Sequence, residues 1–309
     1  MNNDQHILVT GGSGFIGRNL VKTLYAENHT VSILSRNPSS FIEIPNDVAC
    51  YEADITLMSS LPSFTEFDTV IHCAGQVSVS DSLSNPVDTF EVNTLGTQNI
   101  LEKSRKGNVD NFVYISSAAV YGKPNLLPMK ESSDTQCLHP YASSKLAGEH
   151  LVESYVYSYG LTGIVARCFT VYGPGQQSNN LVPEVIEQIS SGSSELSLGN
   201  IEPTRDFVYI DDICSGVRTL LSSVSSGFSI YNIGCGVETQ VRDLINMIID
   251  EFNHDITIKE TSRGRSESIE INRMVADVNK LKSLGWNPSY IPREGIRMTV
   301  AKSSNNTNK

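Results

Sequence analysis

Apolar positions in the first half of the chain follow two rhythms. Short, largely unbroken runs come first: Ile7-Leu8-Val9, Val31 to Leu34, Val70-Ile71, Phe112 to Ile115 and Leu161 to Arg167. Runs of this length, partly β-branched and bounded by Gly, Ser or Asp, read as buried strands. Between them the spacing changes to helical. Phe15, Ile16, Leu20, Val21 and Leu24 share one helical face. Pro86 to Arg105 reads as one long helix, with Phe90, Val92, Leu95, Ile100 and Leu101 as core candidates. Val48 to Ile55 reads as a further strand, and Pro140 opens another helix. Strand and helix alternate repeatedly, which predicts an α/β fold built on a parallel sheet.

The second half is less regular. Pro183 to Ser190 and Val241 to Phe252 carry helical spacing, Ser190 to Ser197 reads as a serine-rich loop, and Ile230 to Gly236 reads as a strand and glycine turn. Leu284 to Pro288 marks the last compact segment, and Ser303 to Lys309 is expected to fray. The expected division is a nucleotide-binding unit over 1–172 to which 206–235 returns, and a smaller lobe from 173–205 and 236–302.

Composition narrows the function classes. A chain of 309 residues can bury a large core. The formal charge of −11 argues against a broad nucleic-acid face, while leaving room for a few arginines that hold a small anion. No apolar run reaches a membrane span and no signal peptide is visible at Met1 to His6, so a soluble cytoplasmic protein is expected. The six cysteines form no C-x-x-C pair, so neither metal site nor redox pair is expected. His72 and His150 read as structural.

Chemistry is concentrated in three stretches. In the first, Thr10-Gly11-Gly12-Ser13-Gly14-Phe15-Ile16-Gly17 joins a strand to a helix. Glycines let backbone N–H groups approach a pyrophosphate at the helix N-terminus, where the dipole favours anions. Gly11, Gly14, Phe15, Ile16 and Gly17 are therefore cofactor candidates. The second strand ends Ser35-Arg36, with no carboxylate. A carboxylate there accepts from the ribose 2′-OH of NAD, whereas Arg binds the 2′-phosphate of NADP. NADP(H) is favoured and NAD remains open. Ala74, ending the fourth strand among small residues, leaves room for a cofactor across the strand's end.

In the second stretch, Ser116-Ser117-Ala118-Ala119-Val120-Tyr121-Gly122 leaves the fifth strand, and Tyr141-Ala-Ser-Ser-Lys145 follows about twenty residues later. Residues four apart share a helix face. A free phenol has a pKa near 10 and is a poor base at neutral pH. Lowering it by roughly three units takes about 4 kcal/mol of preference for phenolate, which Lys145 and an oxidised nicotinamide are expected to supply. The third stretch is Thr204-Arg205-Asp206-Phe207-Val208-Tyr209-Ile210-Asp211-Asp212, where Asp211 or Asp212 is expected to cap the following helix.

The spacing Gly11-x-x-Gly14-x-x-Gly17 after Thr10, joined to Ser117 and Tyr141-x-x-x-Lys145, resembles the extended short-chain dehydrogenase/reductase family, over roughly Ile7 to Pro288. The resemblance implies a Rossmann-type doubly wound sheet with a smaller C-terminal lobe for a nucleotide-diphosphate sugar. It implies that Ser117, Tyr141 and Lys145 are catalytic, Tyr141 exchanging the proton and Lys145 also binding the nicotinamide ribose. It places Asp54 and Ile55 beside the adenine, and Asn93 in a helix distortion and proton relay. It gives Arg205 and Arg265 to the diphosphate, and Thr170 stands where the family often has a sugar-contacting Asn. A homodimer through the helices around 88–105 and 141–159 is a family expectation.

Within that family, dehydratases usually carry Asp-Glu where this chain has Ala118-Ala119, and alanine cannot act as acid or base. An epimerase regenerates its cofactor and usually holds NAD, so an NADP(H) preference suits net reduction. The expected activity is NADPH-dependent reduction of a nucleotide-linked 4-keto sugar, with a 4-keto-6-deoxyhexose as one candidate. The rival readings are a nucleotide-sugar 4-epimerase and, more remotely, a non-catalytic NADP sensor.

Overall fold

The computed structural model describes residues 5–38, 45, 47–223, 226–252, 256–261 and 266–306. Its strands are β1 (His6–Thr10), β2 (Thr30–Ser35), β3 (Ala49–Glu52), β4 (Thr69–His72), β5 (Asn111–Ser117), β6 (Thr162–Cys168), β7 (Thr170–Tyr172), β8 (Glu195–Leu198), β9 (Thr204–Tyr209), β10 (Phe228–Ile233), β11 (Glu238–Gln240) and β12 (Thr257–Glu260). Seven of them form one sheet in the order β10-β6-β5-β4-β1-β2-β3. Every pairing in it is parallel. Both faces are covered, and side chains alternate between them as the period of two requires. Ile7 and Val9 join one hydrophobic cluster, while Leu8 joins the other.

The chain runs from β1 outward to β3, then returns to place β4 on the other side of β1. Loops after β1 and β4 therefore diverge and leave a crevice at the carboxyl ends, where open α/β sheets bind ligands. Helix α1 (Phe15–Ala26) starts at that crevice and buries Leu20, Val21 and Leu24.

The long helix expected over 86–105 is broken. Val79–Ser84 forms α2 and Pro86–Phe90 forms α3; Glu91–Leu95 winds as a π-turn, and Gly96–Gly107 continues as α4. The extra residue in the π-turn rotates the apolar stripe. Ile100 and Leu101 are core, whereas Phe90 and Leu95 are exposed. The side chain that the turn presents inward is Asn93.

Helix α5 (Pro140–Tyr159) crosses the sheet beside β5 and β6, and α6 (Leu181–Ser190) follows in the lobe. The serine-rich stretch over 190–197 contains the start of β8, because Leu196 and Leu198 alternate into the core and β12 pairs alongside. The expected division at 205/206 cuts through β9. That strand pairs with β7 and β11 in a separate three-stranded sheet, and the return to the large sheet is α7 (Ile210–Ser223) followed by β10.

Asp212 does not cap α7. Its carboxylate accepts from the backbone N–H of Ser289 (2.7 Å) and Tyr290 (3.1 Å), tying the C-terminal segment to the helix. In the lobe, α8 (Val241–Asp250) is followed by α9 (Asn279–Lys282) and α10 (Pro292–Asn306). Of the stretch expected to fray from Ser303, residues 307–309 lie outside the described residues, and 303–306 continue α10. Its turns are reinforced by Thr299 and Ser303 hydroxyls that donate to carbonyls four residues back.

Candidate active site

The glycine turn closes tightly. The Gly14 N–H donates to the Gly11 carbonyl (2.8 Å) and the Gly11 N–H to the Leu34 carbonyl (2.7 Å). Gly11 has φ +65°, and a methyl there would lie 2.7 Å from the Ala74 backbone. At Gly17 a methyl would lie 2.3 Å from the Gly11 carbonyl oxygen. Only glycine fits either position. Gly14 caps α1 without any side-chain hydrogen bond, so the helix presents bare N–H groups to the crevice. Phe15 and Ile16 are half-buried in the first turn. A close backbone approach, an uncapped N-terminus and the positive end of a helix dipole together fit a dinucleotide pyrophosphate.

At the β2 edge, Ser35 is buried and its hydroxyl bonds that of Ser13 at 2.6 Å, while Arg36 is exposed. Asp54 accepts at Oδ1 from the Thr56 N–H (2.9 Å) and hydroxyl (2.8 Å). Those Thr56 bonds hold its carboxyl below the usual range, and the nearby Arg36 guanidinium adds to the effect. Ile55 is buried and meets the α4 backbone at Gly96, where a methyl would lie 2.6 Å from its side chain. Arg36 and Asp54 thus form one edge of the crevice, away from the sugar-sized cavity described below.

Ser117, Tyr141 and Lys145 converge from β5 and α5. Tyr141 is 9% exposed and Lys145 5%. Burial pushes the Tyr141 phenol above its ordinary value, and the Ser117 hydroxyl bonded to it offsets part of the shift. The lowering expected from Lys145 together with an oxidised nicotinamide concerns the loaded enzyme; in the protein without cofactor burial dominates and the phenol keeps its proton. Burial also lowers Lys145 to about 8, against the opposing influence of Cys73, Cys168 and Glu149. The Lys145 ammonium lies 4.3 Å from the centre of the Tyr114 ring.

Asn93 joins this group. Its Oδ1 accepts from the Gln76 N–H (2.8 Å), and its Nδ2 donates to the Gln76 carbonyl and the Ser144 hydroxyl, both at 2.9 Å. A methyl at Gly75 would lie 2.9 Å from Asn93 Oδ1 and 4.0 Å from Lys145 Nζ, so the β4 loop, the π-turn and α5 meet at one point. His72 is structural: its ring is held between the Thr10 (2.6 Å) and Thr97 (3.1 Å) hydroxyls, and burial lowers its pKa to about 3.

The sequence reading missed the support beneath. Ser116 points away from Ser117 and donates to Glu149 at 2.5 Å. Glu149 also accepts twice from Arg167, at 3.0 Å from Nε and 2.7 Å from Nη2. Both ionic side chains are almost fully buried. Arg167 lies 4.7 Å from the Tyr121 ring centre, and the Tyr121 hydroxyl donates to Asn232 at 2.7 Å. The signal was available: Glu149 follows Lys145 by one helical turn, and Arg167 ends an otherwise apolar strand. His139, which caps α5, was also missed.

A cavity of about 470 Å³ opens above the three residues, lined among others by Ser117, Ala118, Ala119, Tyr141, Thr170 and Arg205. Its volume is in the range of small-ligand sites. Arg205 reaches it already engaged, donating to Glu270 Oε1 (2.8 Å) and the Ile271 carbonyl (2.7 Å). Arg265 lies outside the described residues. Among the described residues, no group of His, Cys, Asp and Glu is placed to hold a metal, and no helix is long and apolar enough to cross a membrane.

Residues 7–234 match the model of the NAD dependent epimerase/dehydratase family. The chain belongs to that family. As a member of the NAD dependent epimerase/dehydratase family it is 35% identical to a putative UDP-glucose 4-epimerase of Methanocaldococcus jannaschii, over 97% of this chain and 99% of that one. It is 32% identical to the GDP-6-deoxy-D-mannose reductase of Pseudomonas aeruginosa, over 96% of each chain. The solved dTDP-glucose 4,6-dehydratase of Streptomyces venezuelae, with NAD bound, superposes with a TM-score of 0.89 at 26% identity, covering 98% of each chain. Relatives in this epimerase/dehydratase family thus include epimerases, dehydratases and reductases acting on nucleotide sugars. The chain is an NAD(P)-dependent enzyme of the extended short-chain dehydrogenase/reductase type.

Proposed function

We propose that this enzyme reduces a nucleotide-linked 4-keto sugar with NADPH, a 6-deoxy sugar being suited to the apolar walls at Ala118 and Ala119. The observation that carries the reading is the cavity over Ser117 and Tyr141, whose walls at Ala118 and Ala119 carry no acid or base for elimination. In the protein without cofactor, burial keeps the Tyr141 phenol protonated beside Ser117. The Ser117 hydroxyl bonds the C4 carbonyl oxygen and aims it at the phenol. A nicotinamide cofactor, held by the glycine turn and Lys145, would supply hydride for C4. Tyr141 delivers its proton to the resulting alkoxide, giving a C4 hydroxyl, and Lys145 stabilises the phenolate left behind. Ser35 and Arg36 support NADPH, since the guanidinium is exposed at the end of β2 and that strand ends without a carboxylate. Thr170 and Arg205 line the sugar-diphosphate side.

The test is a panel of GDP-, dTDP-, UDP- and CDP-4-keto-6-deoxyhexoses with NADPH and with NADH, followed by loss of reduced-cofactor absorbance. Net oxidation of the cofactor, with NADPH preferred, is the expected result. Tyr141→Phe should lower turnover by about 10²- to 10⁴-fold, the usual worth of an acid–base group. The second reading, a 4-epimerase, is favoured by the 35% identical relative. It predicts conversion of UDP-glucose to its 4-epimer without added cofactor, which would displace reduction.

A homodimer belongs to the same proposal. Val87, Phe90, Leu95, Tyr157 and Tyr159 leave large apolar side chains exposed on the α3–α4 and α5 surfaces. Sedimentation at micromolar concentration should give a dimer. Phe90→Glu should shift it to monomer.

A further inference from the structure

Lys145 is buried with one neighbour suited to a cation. Among the described residues no salt bridge or hydrogen bond holds its Nζ. The titratable groups that face it are His72 and Cys73 from β4 and its exit, Cys168 at the end of β6, and Glu149 one turn further along α5. Tyr141 lies one turn back on the same helix. Burial holds the His72 imidazole down at about 3 and pushes both thiols up, Cys168 to about 12, so none of the three is charged near neutrality. Glu149 is salt-bridged to Arg167. What remains is the Tyr114 ring, whose centre lies 4.3 Å from Nζ. An ammonium at that distance is attracted to the negative face of the ring, the more so when water is excluded. The chain makes room for the contact. Phe112, Tyr114 and Ser116 alternate onto one face of β5, so Tyr114 meets α5 at Gly148 and Ser116 meets it at Glu149. A methyl at Gly148 would lie 2.5 Å from Tyr114 Cζ, so a poor helix former stands where the ring needs space. His72 stacks on the same ring, with centres 5.8 Å apart and planes at 25°. Burial pushes the Tyr114 phenol far above its ordinary value, so the cation meets a neutral ring and not a phenolate.

We propose that Tyr114 is a positioning residue for the reaction: the face of its ring holds the Lys145 ammonium one helical turn from Tyr141. This rests on the reading above that the charge of Lys145 serves proton transfer at Tyr141. Without the ring the ammonium is desolvated and uncompensated, so it gives up its proton at lower pH. Loss of a cation–π contact in a dry site lowers the titration midpoint by about 0.5–1.5 pH units.

The experiment titrates Lys145 by NMR in protein carrying isotopically labelled lysine, without cofactor or substrate. The resonance is assigned by its loss in Lys145→Met. Wild type should titrate near the value of about 8 that burial sets. Tyr114→Phe keeps the ring and should match it, whereas Tyr114→Leu should titrate about 0.5–1.5 pH units lower. The alkaline fall in kcat/KM, which reports the free enzyme, should move down with the Tyr114→Leu midpoint. A Tyr114→Leu midpoint at or above the wild-type value overturns the proposal. So does a Tyr114→Phe midpoint as low as that of Tyr114→Leu, or a rate profile that stays in place while the midpoint falls. Failure of wild type to reduce any 4-keto sugar overturns the functional reading alone, because the midpoints are read without substrate and still decide whether the ring holds the ammonium. If Tyr114→Leu does not fold, Tyr114→Met is measured in its place under the same criterion.

Discussion

Removing the Glu149 carboxylate is the sharpest test of how the site is supported. Glu149 and Arg167 are 2% and 4% exposed as side chains, so water screens neither. Glu149→Ala deletes the acceptor of two Arg167 nitrogens and of Ser116. Arg167 cannot shed its proton, and its remaining partners are the Glu131 carbonyl at 3.3 Å and the face of Tyr121. Leaving such a charge buried costs about 3–5 kcal/mol. In a chain of this size each kcal/mol lowers Tm by roughly 2–4 °C, so a drop of about 10 °C is expected. Because the cost is an orphaned charge, Glu149→Leu combined with Arg167→Met should recover most of it. The assay is calorimetry of the single and double variants. A single variant within about 1 kcal/mol of wild type, or a double variant no better than the single, would refute the argument. The same substitution removes a negative charge that raises the Lys145 pKa, so Lys145 should titrate still lower.

Other expectations follow from the same geometry. Lys145 is depressed from 10.5 to about 8, so its charge in the folded protein is lost as pH rises through about 8. A kcat/KM profile should fall above that point; a flat profile to about pH 10, where free lysine titrates, would contradict the role of the ammonium. For stability the sign is opposite: between about 8 and 10.5 the unfolded chain binds the extra proton, so this group favours folding more as pH rises. Arg36→Asp should weaken NADPH by about 10- to 100-fold in Kd and spare NADH, as loss of a charged hydrogen bond predicts; titration of cofactor fluorescence measures both. Gly11→Ala should abolish dinucleotide binding, because the new methyl meets the Ala74 backbone at 2.7 Å in a left-handed conformation.

How much of this was legible beforehand depended on the kind of contact involved. The glycine turn and the Tyr141–Lys145 pair were visible because their chemistry is local: a strand, a turn and one helical spacing suffice. The parallel sheet was visible because its strands are buried on both faces and read as unbroken apolar runs. The π-turn was less so. Asn93 was expected to distort its helix, yet the apolar stripe was still read at a regular 3.6 period, which misplaced Phe90 and Leu95 in the core. Contacts between distant segments were not legible. Asp212 looks like a helix cap until Ser289 is known to lie beside it. Arg205 looks like a free phosphate ligand until Glu270 is seen across from it. The burial that raises the Tyr141 phenol in the protein without cofactor was not legible either, because it comes from segments that meet only in the fold.

Asp206, next to Arg205 in the β9 strand, has a wider consequence. Its buried carboxylate accepts from the N–H groups of Cys235 (2.7 Å), Gly236 (2.9 Å) and Ala276 (3.1 Å). One side chain thereby rivets the small sheet to the exit of β10 and to the segment ahead of α9. Swinging the lobe as a rigid door would strip that rivet bare. Any opening that admits a sugar nucleotide must instead bend around it, leaving those three amides among the slowest in the molecule to exchange with deuterium.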